Sequence, residues 1–317
     1  MKKLSVILPS YNEEGMIHVA SQRIDQLLKE NHIPYEIIYI NDGSKDRTWE
    51  EISELSKSNE NVRGVNFSRN FGKEAAIRAG LQFATGDCAV VMDCDLQHPP
   101  ETIINMYHLW LEGYQIVEGV KLSRGQENIF YKTSSKAFYS ILKVLTGFPL
   151  QNSSDFKLLD RQVIEEFLRL PEKKIFFRAV TFWLGFKTIS VEYEVQEREI
   201  GTTKWSPLSL IKYAFNNITS FSTAPMQIIT IIGLINLLFS VIIGVQSLIK
   251  YLQGSSLEGF TTVILLILLI GSSLMISLGI MGFYLAKIYE EVKGRPAYVV
   301  ADYTKVKAFQ EASNERK

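Results

Sequence analysis

Two long uncharged runs in the last third of the chain constrain its fold most. No Asp, Glu, Lys, Arg or His occurs in 213–249 or in 259–286. Each run exceeds the roughly 20 apolar residues that a helix needs to cross a bilayer core. A buried core helix is the alternative interpretation, but two such runs in succession favour membrane helices. We therefore predict a transmembrane hairpin over 226–286, with spans at 226–249 and 262–286.

Charges beside the two runs predict the orientation of the hairpin. The connector carries only Lys250 and Glu258. The basic flanking residues are Lys204 and Lys212 before the first run, and Lys287, Lys293 and Arg295 after the second. Because positive residues stay on the cytoplasmic side, residues 1–205 and the tail 287–317 are predicted to be cytoplasmic. The sequence thus predicts a multi-pass protein of the cell membrane.

Charge balance and cysteine content limit the partners and the compartment. The 34 basic and 34 acidic residues give no argument for a nucleic-acid partner. Cys88 and Cys94 lie six residues apart, on or beside one predicted strand, which is too far apart along an extended chain for a disulfide. Reduced thiols fit a domain that faces the cytosol.

Strand and helix patterns alternate over the first 120 residues. The predicted strands are 4–8, 35–40, 62–67, 89–92 and 115–119. The predicted helices are one capped by Asn12 that contains Ile17, Ala20, Ile24, Leu27 and Leu28, one at 48–58 and one at 72–84. This order predicts an α/β fold with a mainly parallel sheet covered by helices on both faces. Polar clusters at 9–14, 41–44 and 93–97 follow strands, at the carboxyl ends where such sheets bind ligands.

Asp93 and Asp95 follow the fourth predicted strand. Side chains alternate along a strand, so both carboxylates are expected to point one way and Cys94 the other. Two carboxylates that point together repel unless a cation lies between them. Mg²⁺ or Mn²⁺ takes oxygen ligands from one or two carboxylates and a substrate phosphate. We therefore predict a metal site of Asp93, Asp95 and Gln97; a plain turn after a buried strand is the alternative.

Two basic, aromatic segments are predicted to be amphipathic. Residues 128–147 alternate apolar and lysine positions, and 206–222 precede the first predicted span. Such helices tend to lie in a membrane interface. For 128–147, a helix that packs on the sheet with its lysines in water remains an equal alternative. We assign 206–225 as an interfacial segment between the predicted α/β domain and the hairpin.

Several motifs, taken in order, resemble a known enzyme family. They are Pro9-Ser-Tyr-Asn-Glu-Glu, Asn41-Asp-Gly-Ser, Asp93-Cys-Asp-Leu-Gln-His-Pro-Pro-Glu, Asn152-Ser-Ser-Asp-Phe and Arg198-Glu-Ile-Gly-Thr-Thr-Lys-Trp. The set is similar to family 2 inverting glycosyltransferases of the GT-A, Rossmann-like fold. More narrowly it resembles the polyprenyl-phosphate hexosyltransferases, the group of bactoprenol glucosyltransferases and dolichol-phosphate mannose synthases.

The resemblance implies a role for each matching residue. Base and ribose of the nucleotide would be held by Pro9, Tyr11, Glu13 and Asp42. Mg²⁺ or Mn²⁺ on the diphosphate would be held by Asp93, Asp95 and Gln97. The acceptor phosphate would be held by Lys121, Arg124, Arg178, Arg198 and Lys204. Asp155, with Asp95, would be catalytic, and Asp155 would either orient the acceptor or take a proton.

The function implied is transfer of a hexose, from UDP-glucose or UDP-N-acetylglucosamine, to undecaprenyl phosphate with inversion, for modification of cell-envelope glycans. A processive polysaccharide synthase is one alternative, but its Gln-x-x-Arg-Trp string is absent from the sequence. A nucleotidyltransferase is another alternative, but an enzyme of that class would require a glycine-rich phosphate loop. A membrane scaffold or lipid-flipping subunit is the non-enzymatic alternative. Gly271, Gly279 and Gly282 favour close helix packing, and with it a homo-oligomer.

Overall fold

The computed structural model describes residues 2–122, 154–172, 175–194, 224–253 and 259–304. These residues divide into two compact units. The first contains the described residues up to 194 together with 296–304, and the second contains those in 224–295. The predicted interfacial stretches 128–147 and 206–222 lie outside the described residues.

The first unit is built on one sheet of eight described strands. They are β1 Leu4–Ser10, β2 Tyr35–Asn41, β3 Val62–Phe67, β4 Cys88–Val91, β5 Ile116–Lys121, β6 Lys157–Asp160, β7 Thr188–Tyr193 and β8 Val300–Tyr303. Their order across the sheet is β7-β5-β6-β4-β1-β2-β3-β8. Strands β4, β1, β2 and β3 pair in parallel, as do β5 and β7, whereas β6 and β8 run antiparallel to their neighbours. The prediction of a mainly parallel sheet is confirmed.

Helices follow the strands along the chain. They are α1 Met16–Glu30, α2 Thr48–Ser58, α3 Lys73–Phe83, α4 Thr102–Leu111, α5 Arg161–Arg169, α6 Phe177–Trp183, α7 Ala224–Leu252 and α8 Phe260–Val292. The apolar side of α1 is fully buried against the sheet, as its helical spacing predicts. Asn12 does not cap this helix. Gly15 with φ 84° precedes it instead, and the Asn12 Oδ1 accepts the Lys45 N–H at 3.0 Å.

Strand β8 adds a late segment of the chain to the sheet edge formed by β3. The Gly64 N–H donates to Thr304 Oγ1 at 2.7 Å, and Tyr298 stacks on Phe67 with ring centroids 4.8 Å apart. Along the chain β3 precedes both long apolar helices and β8 follows both. Hence the segments before and after the hairpin belong to one folded unit.

The second unit consists of α7 and α8, both long and apolar enough to cross a membrane. The candidate spans are Met226–Gln246 and Leu266–Val292, with mean hydropathies of 2.7 and 2.2. The partly buried positions include series spaced by seven residues, namely Ile229, Asn236 and Ile243 on α7 and Leu266, Ser273 and Ile280 on α8. Asn236 Nδ2 donates to Ser273 Oγ at 3.1 Å. A seven-residue seam with one polar pair is typical of two helices packed along their length.

Candidate active site

The sheet register gathers the predicted polar clusters at one edge. Ser10 at the end of β1 pairs with Asn41 at the end of β2, and Ile7 of β1 pairs with Val91 at the end of β4. The segments that follow these parallel strands therefore leave the sheet side by side. This is the edge at which α/β sheets bind ligands.

Asp93, Asp95 and Gln97 lie in the turn that follows β4, which ends at Val91; the last backbone hydrogen bond to β1 is from the Met92 N–H to the Ile7 carbonyl. Burial nevertheless alternates through this turn: the three predicted metal ligands are partly exposed, whereas Cys94, Leu96 and His98 are buried. Leu96 takes φ 55°, and Asp95 Oδ1 accepts the Gln97 N–H at 3.1 Å. The common outward side of the predicted ligands is thus maintained by the turn and not by a strand.

Lys73, the first residue of α3, bridges two carboxylates from different parts of the site. Its Nζ lies 2.5 Å from Asp93 Oδ1 and 2.9 Å from Asp155 Oδ2. Burial alone would lower the pKa of Lys73, but the charges of Asp93 and Asp155 outweigh it and raise that pKa above the ordinary value. Although 41% of the side chain is exposed, its ammonium group is a full positive charge between the two acids.

Arg178 on α6 holds Asp155 from the other side. Arg178 Nε donates to Asp155 Oδ1 at 2.7 Å and Nη2 donates to Oδ2 at 2.9 Å. Asp155 is only 6% exposed. Burial would raise its pKa, but Lys73 and then Arg178 outweigh burial and hold the pKa of Asp155 well below its usual range. Asp155 is therefore a fixed anion with both oxygens bound to cations.

Glu74 connects the start of α3 to the start of α6. Its Oε2 accepts the Phe177 N–H at 2.9 Å, one residue before Arg178. Burial, and next the charge of Asp155, raise the pKa of Glu74 to about 7. This contact helps to fix the helix that supplies Arg178.

Asp42, at the end of β2, accepts backbone hydrogen bonds from the loop that precedes α3. Its Oδ1 accepts the Phe71 N–H at 2.6 Å and its Oδ2 accepts the Gly72 N–H at 2.9 Å. Burial raises the pKa of Asp42, while these two backbone donors and Arg69 oppose that rise. Asp42 therefore fixes the loop that leads into Lys73. If the Asp42 carboxylate also binds a nucleotide, it does so while it accepts these two hydrogen bonds from the loop.

The other predicted nucleotide residues lie beside this loop. Tyr11 follows β1 directly and is 43% exposed. The Glu13 N–H donates to Thr48 Oγ1 at 2.9 Å, which attaches the segment after β1 to the start of α2. Pro9, in β1, is partly buried.

An aromatic cluster lies behind the carboxylates. His98 stacks on Phe156 with centroids 4.8 Å apart and meets the edge of Tyr193 at 5.4 Å. The Asp93 N–H donates to His98 Nδ1 at 3.4 Å. Burial lowers the pKa of His98, so the neutral ring is favoured. The ring packs the Asp93 turn against the residue that follows Asp155.

The predicted site residues thus divide into three groups. The structure brings Asp93, Asp155 and Arg178 together, and it places Lys121 at the exposed end of β5. Arg124, Arg198 and Lys204 lie outside the described residues. Sequence reasoning missed three contributors, namely Lys73, Glu74 and His98. The available signal for Lys73 was its position just after the third strand, at the same sheet edge.

The donor set fits a divalent cation that is shared with a phosphate ligand. Within the described ranges, no group of three or more His, Cys, Asp and Glu side chains is arranged to hold a metal. Two carboxylates and Gln97 alone would form an incomplete coordination shell for a metal ion. Mg²⁺ and Mn²⁺ commonly take their remaining oxygen ligands from a substrate phosphate. The contact of the Lys73 ammonium with Asp93 shows that this carboxylate faces a cationic group.

Comparisons with known proteins agree with this fold. Residues 5–188 match the model of glycosyl transferase family 2, and the chain belongs to that family. An uncharacterised glycosyltransferase of Bacillus subtilis (strain 168), YkcC, is 37% identical over 93% of this chain and 92% of its own. A prophage-derived bactoprenol glucosyl transferase of Shigella flexneri is 35% identical over 94% of this chain and 97% of its own.

A solved mycobacterial protein shares the fold, with a TM-score of 0.51, 18% identity, and coverage of 70% of this chain and 75% of that chain. The predicted GT-A fold and the predicted resemblance are confirmed, and the protein is an enzyme, a glycosyltransferase. The non-enzymatic alternative, a scaffold or lipid-flipping subunit, is not supported.

Proposed function

We propose that the protein transfers a hexose from a UDP-sugar, UDP-glucose or UDP-N-acetylglucosamine, to undecaprenyl phosphate in the cell membrane, with inversion. The product would be a lipid-phosphate-linked sugar for cell-envelope glycans. The likeness to a bactoprenol glucosyl transferase over 94% of the chain supports lipid-linked glucose transfer. The observation that carries the proposal is Asp155, held by Arg178 and Lys73 beside the Asp93 turn.

The nucleotide-sugar donor is proposed to bind at the ends of β1, β2 and β4. Tyr11 offers an aromatic face to the base, and Glu13 and Asp42 offer carboxylates to ring N–H groups and ribose hydroxyls, with Pro9 beside them. Asp93, Asp95 and Gln97 would hold Mg²⁺ or Mn²⁺, which neutralises charge on the departing nucleotide diphosphate.

The acceptor needs positioning more than it needs a base. A phosphate monoester has a second pKa of about 6, so its oxygen is largely charged near neutral pH and can attack the anomeric carbon directly. Asp155 has both oxygens bound to cations and is suited to orient charged groups, not to remove a proton. Attack opposite the departing diphosphate would invert the anomeric centre.

Cations are assigned to the acceptor phosphate because two anionic phosphates must come close together. The contact of Arg178 with Asp155 supports its assignment to this set. Lys121, Arg124, Arg198 and Lys204 complete the proposed set. The cytoplasmic location of this chemistry follows from the flanking charges of the hairpin.

The test is a transfer assay with purified protein, undecaprenyl phosphate, Mn²⁺ or Mg²⁺, and a panel of labelled nucleotide sugars. Label should enter the lipid extract from one UDP-hexose, and a chelator or Asp93→Asn should abolish it. Asp302→Asn, on exposed strand β8, is the control and should retain the rate. Full transfer in the presence of chelator would refute the metal assignment. No transfer to lipid phosphate from any donor would refute the acceptor.

A further inference from the structure

The contacts of Lys73 place a fixed positive charge where the proposed metal would act. Its ammonium is 2.5 Å from one carboxylate oxygen of Asp93, which is a predicted metal ligand. It is also 2.9 Å from Asp155, which Arg178 already neutralises through two hydrogen bonds. Asp155 therefore keeps a cationic partner without Lys73, whereas the described contacts give Asp93 no other cation.

The start of α3 is held so that Lys73 stays in this position. Asp42 accepts the N–H groups of Phe71 and Gly72, and Glu74 accepts the N–H of Phe177. The residues on both sides of Lys73 are thus hydrogen-bonded to two different elements, the end of β2 and the start of α6. A lysine on a fixed backbone retains a flexible four-carbon stem, so its ammonium can leave one carboxylate and remain on the other.

We propose that Lys73 is a positioning residue that occupies the place of the divalent cation on Asp93 in the unloaded enzyme and is displaced from it when the cation binds. This inference rests on the metal site of the proposed function. The ammonium keeps Asp93 in place while the site is unloaded, and the cation has to compete with it. After displacement, Lys73 remains on Asp155. Cation binding is therefore weak until the nucleotide diphosphate supplies further oxygen ligands.

Mn²⁺ binding to the purified full chain, followed by electron paramagnetic resonance without substrate, tests this inference. Lys73→Met removes the charge and keeps the length of the side chain. Mn²⁺ should then bind more tightly, on the order of tenfold, because the competing charge is gone. UDP should strengthen Mn²⁺ binding less in Lys73→Met than in the wild type. Lys73→Arg should retain the weak, UDP-dependent binding of the wild type.

Matched variants separate this effect from general changes of charge or folding. Lys29→Met removes another lysine that contacts a carboxylate, Asp25 on α1 at 2.6 Å, and should leave Mn²⁺ binding unchanged. Lys73→Gln is a second neutral variant for the case in which Lys73→Met does not fold, and it should also bind Mn²⁺ more tightly.

Two different failures can be told apart in this experiment. If Asp93→Asn weakens Mn²⁺ binding but the neutral Lys73 variants bind as the wild type does or more weakly, the role of Lys73 is refuted and the metal site stands. If Asp93→Asn leaves Mn²⁺ binding of the wild type unchanged, the metal site itself is refuted, and the inference with it.

Discussion

At the scale of single residues, sequence motifs pointed to Asp93, Asp155 and Arg178, but not to Lys73, which contacts both acids. Asp93 and Asp155 stand in strings that resemble motifs of a known family, and Asp93 also follows a buried strand. Lys73 gives no such signal, because its importance depends on two acids that are 20 and 82 residues further along the chain. Only the folded sheet edge brings those three side chains within hydrogen-bond distance.

The paired geometry of Arg178 predicts that lysine cannot replace it. Arg178→Lys keeps the charge but loses one of the two parallel bonds to Asp155. We expect kcat to fall roughly 100-fold, because a small misplacement of a positioned group has that effect. Arg169→Lys, which alters a surface pair with Glu166, should retain the rate. Steady-state transfer kinetics check this, and an undiminished kcat in Arg178→Lys would contradict the assigned clamp.

Glu74 predicts a pH dependence of stability. Its pKa of about 7 in the folded chain exceeds the ordinary 4.5, so the folded state binds more protons between those values. Its contribution is therefore fully present below pH 4.5 and is lost as the pH rises to about 7. The expected loss is about 3 kcal/mol in the free energy of unfolding.

Glu74→Gln keeps an acceptor for the Phe177 N–H and removes the titration. Thermal unfolding in detergent at pH 5 and pH 7.5 should show the wild type losing stability relative to this variant. Glu54→Gln, on the exposed side of α2, is the control and should follow the wild type. Parallel pH profiles for the wild type and Glu74→Gln would contradict the raised pKa.

At the scale of elements, sequence patterns predicted the first five strands and missed β6, β7 and β8. The helix at 48–58 and the strand at 62–67 coincide with α2 and β3. Strand β6 has only four residues and enters antiparallel between β4 and β5, which no local pattern signals. Strand β8 pairs with β3 across more than 230 residues of sequence, and such distant pairing depends on tertiary packing.

Two glycines with positive φ are expected to differ in how much stability an alanine substitution costs. Gly43 has φ 65°, and an added Cβ would lie 2.4 Å from the carbonyl carbon of Arg69. Gly15 has φ 84°, but its Cβ would meet open space. We expect Gly43→Ala to destabilise the chain by about 3 kcal/mol, because backbone must move. Gly15→Ala should cost about 1 kcal/mol, from backbone strain alone. Equal losses in chemical denaturation would contradict the close approach.

At the scale of the whole molecule, the chain passes from the sheet through two apolar helices and back to the sheet. The helices α7 and α8 carry the hydropathy of membrane spans, and β8 rejoins the unit that contains β3. An even number of spans returns the chain to its starting side. The proposed orientation therefore places the sheet in the cytoplasm and the connector between the spans outside.

Cysteine labelling in intact cells tests that orientation. Both native cysteines are buried, so background reaction should be low. Ser256→Cys, in the connector, should react with a membrane-impermeant maleimide from outside. Ser58→Cys, exposed at the end of α2, should react only after the membrane is permeabilised. The reverse pattern would contradict the proposed orientation.

The central claim is that Asp155, as an anion fixed by Lys73 and Arg178, orients transfer of the sugar to lipid phosphate. The most direct test compares the initial rate of label transfer to undecaprenyl phosphate in the wild type, Asp155→Asn and the exposed Asp302→Asn. We predict a loss on the order of 1,000-fold for Asp155→Asn, because its charge serves the reacting centre, and no loss for Asp302→Asn. Transfer by folded Asp155→Asn at the wild-type rate would contradict the account.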